Sequence, residues 1–132
     1  MPHILVVEDN NTNSELLCDW LEAQGLQVLA VDTLAQAFAF CEDHIPDAVL
    51  LDVKLGPEDG LSLARWIRQQ PKLLHLPVLA VTAHAMVTDH ERVMQAGCNA
   101  CISKPVDFKL LRKHLDHWLP LSARLQPAPN VK

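Results

Sequence analysis

Asp47-Ala48-Val49-Leu50-Leu51-Asp52 is an uninterrupted apolar run closed at both ends by a carboxylate. A run of strand length, bounded by polar residues, suits a central parallel strand buried on both faces. Asp52 then stands at its carboxyl end, where the strand ends and following loops of an open α/β sheet form a crevice for ligands. Taken alone Asp52 is ambiguous, because Asp also caps turns after strands. Other apolar runs, however, end in the same way. Ile4-Leu5-Val6-Val7 stops at Glu8-Asp9, Val78-Leu79-Ala80-Val81 at Thr82, and the run around Cys101-Ile102 at Ser103-Lys104-Pro105. If all four are parallel strands of one sheet, three carboxylates, a hydroxyl and an ammonium meet along one edge.

Outward from this run the chain alternates short apolar stretches with amphipathic ones, five of each, as βαβ units around a parallel sheet do. Strands are expected at about 3–7, 27–31, 47–52, 77–82 and 99–103. A first helix starts at Asn11 or Thr12, carries Leu16, Leu17, Trp20 and Leu21 on its apolar side, and stops at Gly25. A second follows Thr33, with Leu34, Ala37, Phe38 and Cys41 on one face, and ends before Ile45-Pro46. The stretch from Val53 to Gly60 reads as a loop. A third helix runs from Leu61 as far as Gln70-Pro71. The fourth begins after Ala83, with Met86, Val87, Val93 and Met94 as its apolar set and Gly97 as its stop. Asp107 is placed to cap the fifth, whose inward face is Leu110, Leu111, Leu115 and Trp118.

A chain of 132 residues, 49% hydrophobic, suffices for one domain with a proper core. We expect that domain over residues 1–120. Residues 121–132 hold Pro127 and Pro129, lack periodicity, and read as a flexible C-terminal tail. The net charge of −5 and the lack of a long Lys/Arg cluster argue against direct nucleic-acid binding. No apolar run approaches transmembrane length and no signal-peptide pattern opens the chain, so a cytoplasmic protein without membrane contact is expected. The four cysteines lack the density of a disulfide framework and are expected reduced.

Three clustered carboxylates disfavour joint ionisation unless a positive charge intervenes. Mg²⁺ suits the set, because it takes oxygen ligands and combines one or two carboxylates with waters and a phosphate oxygen. Asp9 and Asp52 supply carboxylates, Glu8 acts through a water, and the turn after Asp52 offers a backbone carbonyl. Lys104 adds a point charge and Thr82 a hydrogen-bond donor for a phosphoryl group. A carboxylate attacks phosphorus directly to form an acyl phosphate, and Asp52 fits that nucleophile role best.

Four motifs carry a resemblance over about residues 2–119. VVEDN holds Glu8-Asp9, LLDVKLGPEDG holds Asp52 and Gly60, AVTAHAM holds Thr82, and ISKP holds Lys104-Pro105. In order and spacing they resemble the receiver domains of bacterial two-component response regulators, the CheY-like superfamily. EDNNTN, LEAQG and AGCNACISKP look like single-domain regulators of the DivK type, and receiver modules of hybrid histidine kinases look similar in the same stretches. The resemblance implies a flavodoxin-like (βα)5 fold of strand order 2-1-3-4-5. It implies phosphate transfer from the histidine of a kinase or phosphotransferase to Asp52, with no separate enzymatic turnover. Asp9 becomes a direct Mg²⁺ ligand, Glu8 an indirect one, and the Lys54 carbonyl a third protein ligand. Lys104 holds the phosphoryl group, the Lys104-Pro105 peptide is cis, and Thr82 moves toward the phosphate. The face of helix four, strand five and helix five then meets a downstream protein target.

Two departures stand out. The aromatic residue usual three positions before the lysine is replaced by Cys101, so output is expected to rely on the backbone shift of helix four. The usual proline after Asp52 has moved along by one, to Gly56-Pro57. Lys54 and His84 occupy the positions that tune phosphate lifetime in this family. Cys98-Asn99-Ala100-Cys101 leads into a strand and lacks a second ligand pair, so redox or zinc chemistry is disfavoured. His114 and His117, one helical turn apart, read as a solvated helix face. The rival readings are an aspartyl phosphohydrolase, which Lys54 disfavours because such enzymes place a second Asp there; a pseudo-receiver; and a phosphate shuttle or sink. Homodimer formation through helices four and five is left open.

Overall fold

In the computed structural model, which describes residues 3–83 and 87–119, all five residues of Ala48–Asp52 (β3) are buried. Both faces of this strand are covered, which is why its sequence shows no alternation. It pairs in parallel with His3–Val7 (β1) on one side and Val78–Thr82 (β4) on the other. Gln27–Val31 (β2) flanks β1, and Ala100–Ser103 (β5) flanks β4. The sheet order is therefore 2-1-3-4-5, the doubly wound arrangement expected. Strand order reverses at β1 and β3, so the crevice opens above their carboxyl ends.

Successive strand residues point to opposite faces and build two cores. Leu5, Val7, Val49, Leu51, Val78 and Ala80 pack toward Leu34–Asp43 (α2), Leu61–Ile67 (α3) and Val87–Gln95 (α4). Ile4, Val6, Leu50, Leu79, Val81 and Ile102 pack toward Asn11–Ala23 (α1) and Phe108–Trp118 (α5). Three of the helices start at side-chain caps. Asn10 accepts from the Asn13 amide, Thr33 from Gln36, and Asp107 from Lys109 and Leu110, so orphan amide groups of each first turn are satisfied.

Five expectations need correction. Leu16 is 55% exposed, Leu110 44% and Met94 38%, so none of them belongs to an inward face. They lie at the margins of their apolar stripes, where helical spacing alone cannot separate core from surface. Helix three ends at Ile67, and a 3₁₀ turn at Pro71–Leu73 follows. The loop after β3 is a hairpin, with Lys54–Leu55 antiparallel to Glu58–Asp59. It turns at Gly56, whose φ of +56° favours glycine. His84, Met86 and the tail 121–132 lie outside the described residues.

Candidate functional site

Four of the five strands deliver a polar group to the same edge. Glu8 directly follows β1, and its amide extends the ladder to Val31 O at 3.1 Å. Asp52 ends β3 and Thr82 ends β4. Lys104 follows β5, where its amide donates to Thr82 O at 2.8 Å. Glu8, Asp52 and Thr82 are buried, whereas Asp9 is exposed. A cleft of about 260 Å³ is bordered by Asp9, Asn13, Asp52, Lys54, Thr82 and Lys104.

The two buried carboxylates share one cation. Lys104 Nζ lies 3.1 Å from Glu8 Oε1 and 3.1 Å from Asp52 Oδ2. The other oxygen of each takes a backbone amide: Asn10 N–H donates to Glu8 Oε2 at 3.2 Å, and Lys54 N–H to Asp52 Oδ1 at 3.2 Å. Burial pushes the Glu8 carboxyl up to about 7, helped by the hydrogen bond and charge of Asp52, against the Asn10 amide and Lys104. Burial opposes the charge on Lys104, but its hydrogen bonds to Asp52 and Glu8 outweigh that and raise its pKa. Glu8, Asp9 and Asp52 each present a carboxylate oxygen within 4.8 Å of the others. Three hard oxygen donors at that spacing, one of them open to solvent, fit Mg²⁺.

Gly60 of the LLDVKLGPEDG motif packs against the backbone of Asp52 and Val53. A Cβ there would stand 2.1 Å from the Asp52 carbonyl oxygen and 3.0 Å from that of Val53. Its φ is an ordinary −58°, so this glycine is required by space. Asp59 fastens the far side of the hairpin by accepting from the Leu61 amide at 3.0 Å and pairing with Arg65 at 3.1 Å.

The peptide between Lys104 and Pro105 is cis. Cys101 is half-buried and packs against the α2–α4 core. Burial pushes the Cys98 thiol up to about 12 and also raises that of Cys101, the opposite of what a redox pair needs. His114 is half-buried, and burial, then the charge of His117, lowers its pKa. Among the described residues, the His, Cys, Asp and Glu group whose geometry could hold a metal ion is Glu8, Asp9 and Asp52 at the strand edge.

Residues 4–116 match the response regulator receiver domain family. The chain belongs to that family. It is 40% identical over 103 residues to the polar-differentiation response regulator DivK of Brucella ovis and of Brucella melitensis, spanning 78% of this chain and 84% of each relative. Among solved structures it is similar to the receiver domain of a sensor histidine kinase from Pseudomonas aeruginosa, which has a magnesium ion coordinated in its active site cleft. That match has 36% identity and a TM-score of 0.81, over 89% of this chain and 96% of the other. The signal receiver domain of a signal transduction histidine kinase from Syntrophus aciditrophicus is 30% identical, with a TM-score of 0.82, covering all of this chain and 98% of its own. The protein is thus a receiver domain of two-component signalling, a signalling module and not a conventional enzyme. Among the described residues no helix is long and apolar enough to cross a membrane.

Proposed function

We propose that this receiver accepts a phosphoryl group from a partner's phosphohistidine onto Asp52 and reports it through a changed protein-binding surface. The observation that carries this reading is the shared cation. Lys104 sits 3.1 Å from both Glu8 and Asp52 at the mouth of a cleft that Asp9 and Thr82 also line.

Asp9 and Asp52 would hold Mg²⁺ directly, Glu8 through a water, and the Lys54 carbonyl would add a further ligand. Bound there, the ion neutralises carboxylate and phosphoryl charge. The Lys54 amide holds Asp52 Oδ1, which orients the carboxylate. A carboxylate oxygen of Asp52 forms the new bond to phosphorus while the phosphorus–nitrogen bond breaks. The electron pair returns to the donor imidazole. Lys104 moves its charge onto the incoming phosphoryl oxygens. The Thr82 hydroxyl, at the end of β4, hydrogen-bonds one of them and draws the following backbone toward the site. That shift is read on the face formed by α4, β5 and α5. Cys101 leaves the backbone of α4 as the route in place of an aromatic gate. Lys54 and His84 tune how long the acyl phosphate lasts.

The donor is a histidine kinase or histidine phosphotransferase, and the reader is a downstream protein. An apolar cleft of about 420 Å³, lined by Leu16, Pro105, Val106 and Phe108, is continuous with the phosphoryl site through Glu8 and Lys104. A helix presenting the phosphohistidine over Asp52 would cover it, which gives the exposed Leu16 a purpose. The domain is taken as residues 1–120, acting in the cytoplasm without contacting nucleic acid. Intact mass after incubation with Mg²⁺ and acetyl phosphate tests the reading. Wild type gains one phosphoryl group and Asp52→Asn none; equal gain in both, or none in either, refutes it.

A further inference from the structure

Arg68 directly follows α3 and has no part in the phosphoryl site, yet its guanidinium ties the end of that helix to two other segments, 73–76 and 97–99. Nε donates to Gly97 O at 2.8 Å. Nη1 donates to Leu76 O at 2.7 Å, with Leu74 O at 3.2 Å and Leu73 O at 3.5 Å. Nη2 donates to Asn99 Oδ1 at 2.7 Å. These partners are neutral oxygens, and burial lowers the arginine's pKa. A half-buried cation held on carbonyl dipoles stays in place only while the carbonyls stay aimed at it. Asn99 extends the clamp into the sheet, because its Oδ1 also accepts from Val78 N at 2.8 Å and its amide donates to Val78 O at 2.7 Å.

Gly97 shows how closely the parts fit. Its φ is +102°, and a Cβ there would fall 2.6 Å from Arg68 Cγ. The turn that ends α4 therefore lies flat on the arginine stem. Val93 and Ala96 are buried, whereas His90, Glu91 and Arg92 are exposed.

We propose that Arg68 is the fixed pivot of α4: it pins the last turn of that helix and the start of β5 to the sheet, so that a change at Asp52 is delivered to the first half of α4 alone. This rests on the phosphoacceptor reading and adds where the response stops. An arginine is required, since oxygens of two segments lying at different angles need its planar fork, and a lysine ammonium cannot span them.

The test is amide hydrogen exchange along α4 in wild type and Arg68→Lys, each free and loaded with Mg²⁺ and beryllium trifluoride, a phosphoryl mimic. Loading is expected to change exchange in wild type at 87–91 and to leave 92–97 as protected as before. In Arg68→Lys, protection at 92–97 falls about tenfold before loading, and the response to loading spreads into those residues. A wild-type response over the whole of α4, or equal protection of 92–97 in both proteins, overturns the pivot. The wild-type pattern is decisive alone, so a variant that does not fold leaves the test standing. Failure of the phosphoacceptor reading shows separately, as wild type that gains no phosphoryl group from acetyl phosphate.

Discussion

Replacing Gly60 with alanine brings a Cβ to 2.1 Å from the Asp52 carbonyl oxygen and 3.0 Å from that of Val53. Both obstacles are backbone, so no side chain can swing aside, and the chain has to open by about 1 Å to reach ordinary contact. Overpacking of that kind costs about 1–3 kcal/mol. The 2.7 Å hydrogen bond from Gly60 N to Val53 O is strained with it, for about 1 kcal/mol more. The reduced freedom of the unfolded chain returns roughly 0.4–1 kcal/mol, since alanine accepts this φ. The expected net loss is about 1–3 kcal/mol by urea unfolding, together with slower phosphorylation, because the displaced backbone carries Asp52 away from Lys104. Gly25→Ala separates the two effects. Its φ is +88° with nothing within 4 Å of the added carbon, so it should cost about 1 kcal/mol and leave phosphorylation untouched. A Gly60→Ala protein as stable and as quickly phosphorylated as wild type would refute the steric argument.

Glu8 has its carboxyl raised to about 7 without metal, so its proton stabilises the metal-free fold below the ordinary carboxylate range, and that contribution is lost as pH rises through about 7. Mg²⁺ competes with this proton, so calorimetry should find tighter Mg²⁺ binding at about pH 8 than at about pH 6; flat affinity would count against the pairing. Lys104→Met leaves two buried carboxylates facing each other and should cost about 1–3 kcal/mol in metal-free protein at about pH 8, less at about pH 6, with Mg²⁺ restoring part of it. Asp107→Ala removes the cap on the Lys109 and Leu110 amides and should lower stability by about 1 kcal/mol in thermal unfolding, without changing phosphorylation. Native-state alkylation followed by peptide mapping should label the half-buried Cys18 and Cys101 before Cys41 and Cys98, whose thiols burial pushes up to about 11 and about 12.

The strands could be read in one dimension because strands buried on both faces must be apolar throughout, so each run ends where the chain emerges beside the crevice. Asp52, Thr82 and the group after β5 were legible for that reason. Caps are equally local: Thr33 and Asp107 bond to amides two or three residues on. Stripe margins are not local, and Leu16, Met94 and Leu110 turned outward because the sheet covers only part of each helix. The hairpin at 54–59 has no sequence signature, because two-residue strands leave too short a pattern to recognise.

Three features existed only once the chain was folded. The sharing of Lys104 between Glu8 and Asp52 depends on strand order, which brings groups 52 and 96 positions apart to 3.1 Å. Gly60 looked like any loop glycine until the backbone of Asp52 filled the place of its side chain. Arg68 carries no sequence signature at all, since most of its partners are backbone carbonyls, and every residue has one of those. Residue types declare their chemistry along the chain, but which charges meet, and which backbone crowds which, is set by distances that arise only when the sheet is assembled.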